Sequence, residues 1–298
     1  MLAQSSRAEE PISSVTFLNP PAPSTTNYST TPPPCLNPNL PGSTLQHPKK
    51  PSTLLFARFT GVTGANKELA DRVCEKARDH MSKYDNSHNW EHIQHVVANA
   101  DLIYSKELER ETEWVKQCDP LIILLGCVLH DVDDHKYDEK EEKKKQQQQQ
   151  EQNLKTTSEE DKNWIMHYLL TSAVPLPLAT TIDTIARAVS FSTQRADPTH
   201  ISTLLATYPE LRIVQDADRV ETLGARGQGR CFAYHGANKD FQMDSIQRAV
   251  QHHWEKLCLL PGMMNTATGR EMGEDGWRWM CEFRERWDWE TRRLGRVC

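Results

Sequence analysis

Apolar residues recur at helical spacing along much of the chain. The clearest series is Trp90, Ile93, Val97, Ala100 and Tyr104. This spacing follows the period of about 3.6 residues that marks one face of an α-helix. The segment therefore predicts an amphipathic helix whose apolar face packs against a core.

The longest apolar run covers residues 121–129, and periodicity alone does not say whether it is a helix or a strand. The preceding Asp119 and Pro120 decide the matter. An aspartate followed by a proline is typical of an N-cap and the first helical position. We therefore predict a fully buried helix here.

The remaining periodic segments also predict helices, and no convincing alternating strand pattern is present. The further predicted helices cover residues 66–81, 161–171, 178–190, 209–218, 241–259 and 271–292. In the last one, Met280, Phe283 and Trp287 form a core stripe. Three other tryptophans there suit either a core or a partner surface: Trp277, Trp279 and Trp289. The expected fold is all-α, a helical bundle with one long C-terminal helix.

Composition divides the chain into one folded domain and two segments of low complexity. Eleven of the 17 prolines lie between Pro11 and Pro51, among Ser, Thr and Asn. Such a segment buries too little apolar surface to offset its ordering entropy. Residues 1 to about 60 are thus predicted to be a disordered tail, and residues 61–298 the domain. A Gln- and Lys-rich stretch at about 138–158 is predicted to be an inserted solvated loop or a frayed helix extension.

Charge and cysteine usage narrow the functional classes. The net charge of -6 provides no basic surface for a nucleic-acid polymer. The longest apolar run is too short to cross a bilayer, and the first residues lack a signal-peptide core. The eight cysteines form no C-x-x-C pair, which favours reduced thiols. We expect a cytoplasmic protein without a membrane partner; a nuclear location and a homo-oligomer both stay open.

Histidines provide the first candidate chemistry. His88, His92 and His95 would fall within one narrow sector of a helix, opposite the apolar stripe. Imidazoles clustered in this way are candidates for metal binding or acid–base catalysis. The alternative is a wet polar face that happens to contain histidines.

A second candidate follows the apolar run of residues 121–129. His130 and Asp131 come directly after it, and a carboxylate there is costly to bury without a cation or donors. Asp133, Asp134 and Lys136 follow closely, a mixture that suits a metal and a phosphate. The alternative is a helix end in water, where His130 caps carbonyl groups.

A third candidate is the segment "LRIVQDADRVETLGARGQGR". Asp216 follows the apolar pair Ile213 and Val214, and a predicted glycine-rich flexible loop then carries Arg226 and Arg230. A helix cap or a salt bridge is the alternative for Asp216, and a plain turn is the alternative for the glycines.

Together, and in this order, the three segments resemble the H…HD…D signature of the HD-domain phosphohydrolase superfamily. In that family one His lies on a helix, a His-Asp pair ends another helix, and a distant Asp completes a metal site. The resemblance implies His92, His130, Asp131 and Asp216 as the ligands. His92 is preferred because the family places this ligand in a context similar to "HIQHV".

The resemblance is closer to a branch of small HD hydrolases that includes bacterial nucleotide pyrophosphatases and fungal relatives. The similar blocks include "SHNWEHIQHV", "LLGCVLHDVDDHKY" and "VQDADRVETLGARGQGRCFAY". The likeness extends from about Ala65 to about Glu290, apart from the Gln-rich stretch. Asn89 stands where the branch usually has Asp, and His95 where it usually has Arg. Neither departure affects an implied ligand.

The chemistry that follows is that of one divalent cation. Two imidazoles and two carboxylates favour Mn²⁺ or Mg²⁺, and Fe²⁺ or Co²⁺ are compatible. Asp134 is the predicted base or proton shuttle, and His88 is a second candidate for proton handling or phosphate contact. Lys136 and Arg230 would offset the charge of the substrate. Each of these four residues also suits an ordinary surface ion pair or hydrogen bond.

Three functions remain open at this point. The first is hydrolysis of a nucleotide, with release of phosphate or pyrophosphate. The second is a phosphodiesterase or a phosphatase of a small metabolite. The third is a non-catalytic nucleotide-binding protein with a vestigial site, which the intact motif set disfavours.

Overall fold

The computed structural model describes residues 59–133, 163–241 and 243–294, all within the compact unit Pro51–Cys298. These ranges are helical and contain no β-strand, which confirms the all-α prediction. The helices in chain order are α1 (Gly64–Met81), α2 (Trp90–Glu109), α3 (Pro120–Leu129), α4 (Trp164–Thr171), α5 (Leu176–Arg187), α6 (Phe191–Ala196), α7 (Pro198–Thr207), α8 (Glu210–Glu221), α9 (Gly224–Ala237), α10 (Gln247–Glu255) and α11 (Ala267–Leu294). Short 3₁₀ turns lie at Val115–Gln117, Leu257–Leu259 and Pro261–Met263.

Two predicted segments and two predicted site residues lie outside the described ranges. They are the proline-rich tail, the stretch at about 138–158, Asp134 and Lys136. The predictions made for them, and for the domain boundary near residue 60, remain predictions. In the ranges that are described, no helix combines the length and apolar character needed to cross a membrane.

Helix α3 is the centre of the core, as the apolar run predicts. Residues 123–129 are all buried, and α1, α2, α5 and α8 pack around them. The predicted N-cap is present, because Asp119 Oδ1 accepts a hydrogen bond from the Leu121 amide at 2.8 Å. A Cβ at Gly126 would lie 3.2 Å from Ile185 Cγ2 and 3.3 Å from Val214 Cγ2. Glycine therefore lets α5 and α8 approach α3 closely.

Helix α2 packs extensively on α8. Its predicted stripe is confirmed at four positions, since Ile93, Val97, Ala100 and Tyr104 are buried. The helix begins at Trp90, so His88 precedes it. The expectation that His88 shares a helical face with His92 is therefore wrong.

The glycine-rich segment is not a loop, which corrects the prediction for residues 224–230. It forms the first two turns of α9, which packs between α8, α10 and α11. Gly224 begins the helix with a φ of +72°, a conformation that favours glycine. A Cβ at Gly227 would lie 2.0 Å from the carbonyl oxygen of Thr222. These glycines permit close packing at the α8–α9 junction, which local composition does not reveal.

The long C-terminal helix is present as α11. Its Met280 is fully buried in a second core cluster, which also contains Leu223, Leu257, Leu260 and Met264. Trp277 packs against this cluster, whereas Trp279 and Trp289 are 39% and 48% exposed. The tryptophans whose place was open thus divide between core and surface.

Candidate metal site and its cavity

Three helices bring four side chains to one point. His92 lies in the first turn of α2, His130 and Asp131 directly follow α3, and Asp218 lies on α8. His92 Nε2 is 3.3 Å from Asp131 Oδ2 and 3.5 Å from Asp218 Oδ1. His130 Nε2 is 3.4 Å from Asp131 Oδ1 and 3.6 Å from Asp218 Oδ1. One ligand atom each from His92, His130 and Asp218, a ring nitrogen or a carboxylate oxygen, lies within 4.8 Å of the other two, so the group could hold a metal ion.

The hydrogen bonding of these atoms fits a cation. His92 Nε2, His130 Nε2 and Asp131 Oδ2 are buried and have no hydrogen-bond partner among the described residues. Buried polar atoms without partners are rare, because each costs the free energy of its desolvation. In contrast, His130 Nδ1 lies 2.8 Å from the Cys127 carbonyl oxygen and donates to it. This bond leaves the lone pair on Nε2, the tautomer that a metal ligand requires.

The two buried carboxylates of the cluster favour a positive charge beside them. Burial alone lowers the pKa of His130, but the charges of Asp131 and Asp218 outweigh burial and raise this pKa to about 9. Burial raises the pKa values of Asp131 and Asp218, yet the neighbouring imidazoles outweigh it and hold both below the usual range. The pKa of His92 is lowered, mainly by burial. A proton on His130 and a divalent cation thus compete for the same carboxylates.

Asp216 is not part of this cluster, which corrects the predicted ligand set. Its carboxylate accepts hydrogen bonds from the backbone amides of Asn265, at 2.8 Å, and Thr266, at 2.7 Å. Residues two apart on a helix are separated by about 200° around its axis, so Asp216 and Asp218 face different neighbours. The motif admits either aspartate, and only the packing of α8 assigns Asp218 to the histidines.

The N-terminus of α2 positions His92. Asn89 is the N-cap, and its Oδ1 accepts hydrogen bonds from the amides of Glu91, at 3.0 Å, and His92, at 3.4 Å. Asparagine and aspartate cap helices about equally well. Asn89 therefore still caps α2, although the related sequences usually have aspartate at this position.

The cluster opens into a cavity of about 740 Å³. Besides residues of the cluster itself, its lining includes two further predicted site residues, His88 and Arg230. The other cationic side chains on its wall are Arg187, Arg219, Arg248 and Lys256. Aromatic and imidazole rings line it as well: Phe191, Tyr234, His235, Phe241 and His252. The cavity therefore combines a candidate metal site, several cations and planar apolar surfaces.

Sequence reasoning did not identify Arg219 as a residue of this site. It is 2% exposed, and its guanidinium donates to the carbonyl oxygen of Met263 and to Gln194 Oε1. These contacts tie α8 to α6 and to the turn before α11. Because Arg219 adjoins Asp218 in the chain, these contacts of Arg219 hold in place the helix that carries the candidate ligand Asp218. A single arginine in a helix provides no local signal of this role.

The backbone after Asp131 is also held in place. Tyr84 donates its hydroxyl proton to the carbonyl oxygen of Val132 at 3.1 Å. Asp133 Oδ1 accepts from the Trp164 amide at 3.0 Å, and Asp133 Oδ2 accepts from Arg187. Asp133 therefore links the segment after α3 to α4 and α5 rather than joining the histidine cluster.

The chain has the helical fold of HD-domain proteins, with His92, His130, Asp131 and Asp218 in the pattern of the H…HD…D signature. No protein-family model matches the chain. YpgQ of Bacillus subtilis, an uncharacterized protein, is 25% identical over 222 residues, which cover 73% of this chain and 92% of YpgQ.

Solved structures support the same fold. A structure from Lactobacillus plantarum superimposes with a TM-score of 0.54 at 21% identity, covering 75% of this chain and 97% of that one. A crystal structure of YpgQ gives a TM-score of 0.52 at 23% identity, with coverages of 76% and 97%. An HD-superfamily hydrolase from Bacillus thuringiensis gives 0.50 at 23% identity, with coverages of 76% and 98%.

Proposed function

We propose that this chain is a metal-dependent phosphohydrolase that acts on a nucleotide and releases phosphate or pyrophosphate. The observation that carries the proposal is the convergence of His92, His130, Asp131 and Asp218 on the wall of a cavity that several cationic side chains also line. The unsatisfied donor atoms of this cluster favour a resident divalent ion over a purely structural role.

His92 and His130 would hold the cation through Nε2, and Asp131 and Asp218 through carboxylate oxygens. A bound divalent cation lowers the pKa of a coordinated water and offsets the charge that develops on a phosphoryl group. The hydrogen bond from His130 Nδ1 to the Cys127 carbonyl keeps this imidazole oriented. Two imidazoles and two carboxylates suit Mn²⁺ or Mg²⁺ among the available ions.

The cationic and aromatic side chains that line the cavity suit a substrate with several phosphates and a planar group. Its volume lies within the range of about 300–1,000 Å³ that is usual for small-molecule sites. The Arg230 Nε donates to the Ser87 carbonyl oxygen at 2.6 Å, which anchors this guanidinium on the cavity wall. The two terminal NH₂ groups of the guanidinium are not used in this bond, so they are available to donate to a phosphate. The rings of Tyr234 and Phe241 suit stacking against a base.

Proton handling is assigned to His88, which lines the cavity, and to Asp134. Asp134 and Lys136 follow the candidate ligands closely in sequence, and their roles rest on the resemblance. We expect Asp134→Asn to retain the metal and to lower the rate by about 10²-fold or more, the scale of acid–base catalysis. Steady-state rates at equal metal occupancy measure this, and an unchanged rate would remove Asp134 from the mechanism.

The test of the function is a substrate panel with the full-length chain. The protein is stripped with a chelator, reloaded with Mn²⁺ or Mg²⁺, and offered nucleoside mono-, di- and triphosphates, a cyclic nucleotide and non-nucleotide phosphates. Phosphate and pyrophosphate are assayed separately. We expect metal-dependent hydrolysis of a nucleotide, and we expect Asp131→Ala to lose both metal and turnover while remaining folded.

The other outcomes separate the alternatives. Cleavage of the cyclic nucleotide alone would identify a phosphodiesterase, and cleavage of the non-nucleotide phosphates alone a metabolite phosphatase. Nucleotide binding without hydrolysis under either metal would identify a non-catalytic binding protein. Full activity after complete metal removal would refute the proposed mechanism.

A further inference from the structure

A buried serine hydroxyl connects a carboxylate to His88. Ser87 is 1% exposed, and its Oγ lies 2.8 Å from His88 Nδ1. The same hydroxyl donates a hydrogen bond to Asp85 Oδ1. Asp85, Ser87 and His88 thus form a hydrogen-bonded series in the segment between α1 and α2.

The chemistry of the hydroxyl determines where the protons lie. A serine hydroxyl has one proton, and an ionised carboxylate only accepts hydrogen bonds. The Ser87 proton therefore points to Asp85, so the Ser87 oxygen accepts from His88 Nδ1–H. In the neutral imidazole, the other ring nitrogen, Nε2, then carries the lone pair.

His88 stands next to the candidate metal site. Its ring centroid is 6.1 Å from that of His92 and 5.9 Å from that of Tyr234, and it lines the cavity. We propose that Asp85 and Ser87 are positioning residues that hold His88 in the Nδ1–H tautomer, so that Nε2 accepts the proton of the attacking water. This inference rests on the proposed function.

The proposed step is balanced. The water oxygen forms the new bond to phosphorus and keeps one of its two protons, while the other passes to His88 Nε2. The leaving oxygen keeps the electron pair of the bond that breaks. The imidazolium then returns the proton to the leaving group or to solvent. During this step Ser87 and Asp85 stabilise the positive charge on His88, because their hydrogen bonds are oriented towards it in advance.

A purely structural role for Asp85 and Ser87 is the competing explanation. The Ser87 amide also donates to Asp85 Oδ1, at 3.0 Å, and the Ser87 carbonyl accepts from Arg230. Both contacts involve backbone atoms of Ser87, and they hold the conformation of this segment. Ser87→Ala keeps both of them and removes the hydroxyl alone, so it separates positioning from folding.

The tautomer can be measured without turnover. The full-length chain is labelled with ¹⁵N-histidine, loaded with Mg²⁺ and studied by NMR. Couplings between the ring nitrogens and the carbon-bound ring protons distinguish Nδ1–H from Nε2–H. Signals that disappear in His88→Gln assign His88. We expect Nδ1–H in the wild-type protein and loss of this preference in Ser87→Ala. Ser82→Ala is the matched control, since its exposed hydroxyl bonds only to the Asp79 carbonyl among the contacts described.

Kinetics test whether the series acts through His88. We expect Ser87→Ala and Asp85→Asn each to lower kcat by about tenfold or more, with KM and metal content unchanged. In a His88→Gln background, Ser87→Ala should have no further effect, because residues that act through one group are not additive. A structural role would give the same loss in both backgrounds.

The possible results separate this inference from the proposed function. Nε2–H at His88 in a protein that turns over, or an equal effect of Ser87→Ala in both backgrounds, would overturn the positioning role alone. Absence of turnover on every substrate would overturn the proposed function, and the catalytic role of the series with it. Nδ1–H together with a non-additive loss of kcat would support both.

Discussion

Two aspartates on α8 show how much a single residue depends on its neighbours. Asp218 lies 3.5 Å from His92 Nε2, whereas Asp216 is fully buried against the backbone before α11. The sequence places both after the same apolar pair, and the H…HD…D pattern accepts either. Their different surroundings predict different consequences of substitution.

Asp218→Ala should abolish binding of Mn²⁺ and leave the fold intact, because this side chain contacts the cluster and not the core. Asp216→Asn should keep the metal and lower the free energy of unfolding by about 1–3 kcal/mol. The reason is that an amide nitrogen then faces N–H donors that lose their acceptor. Calorimetric titration with Mn²⁺ and urea unfolding measure the two effects. Loss of metal in Asp216→Asn with unaltered stability would reverse the assignment.

At the scale of elements, the junction between α8 and α11 depends on Gly269. A Cβ at this position would lie 2.3 Å from Asp216 Oδ2, an oxygen already held by two backbone amides. Gly229 in α9 is the matched control, since a Cβ there meets nothing within 4 Å.

We expect Gly269→Ala to reduce the free energy of unfolding by about 1–3 kcal/mol, the usual cost of forced overpacking. Gly229→Ala should instead raise it by about 0.5–1 kcal/mol, because alanine restricts the unfolded chain. Urea unfolding of the two variants measures the difference. Equal stability changes in both would mean that α11 shifts freely to accommodate the extra carbon.

The contact between α9 and α10 predicts a dependence of stability on pH. His253 is buried on α10 beside Gln228, and burial, followed by the charge of Arg284, lowers its pKa from 6.5 to about 4. The unfolded chain therefore binds a proton on this histidine at a higher pH than the folded chain does. The contribution of neutral His253 to the free energy of unfolding is fully present above about pH 6.5 and is lost as the pH falls towards 4.

His253→Gln should remove this part of the acid sensitivity. The wild-type protein should lose on the order of 3 kcal/mol more than the variant between pH 7 and pH 4, from a pKa shift of this size. Unfolding by urea across this pH range measures it. Parallel pH profiles for the two proteins would show that His253 does not titrate as proposed.

For the whole molecule, the candidate metal site joins α2 and the end of α3, which are neighbours in the chain, to α8, which follows much later. A ligand that binds only the folded state stabilises it by mass action, by about 2.7 kcal/mol at 100 times its Kd. We expect Mn²⁺ to raise the Tm of the stripped protein by several degrees and a chelator to reverse the change. Asp218→Ala should show no such shift. An identical Tm shift in that variant would place the ion elsewhere.

The sequence alone determined the local structure and the chemical inventory. The apolar periods of α1, α2, α8 and α11, and the Asp119-Pro120 pair that marks the start of α3, depend on neighbours a few residues away, so these helices could be predicted. The order of the histidine, His-Asp and aspartate segments likewise indicated that these side chains form a cluster.

Only the tertiary structure decided which side chains meet. It assigned Asp218 rather than Asp216 to the histidines, folded the glycine-rich segment into α9, and placed Arg219 on the cavity wall in contact with Gln194 and Met263. The positions of Asp218 and Arg219 depend on contacts between elements that are distant in the chain, and α9 packs both on the preceding α8 and on the distant α11. Local propensity carries no information about such contacts, because close packing between helices sets the rotation of α8 and rewards glycine in α9.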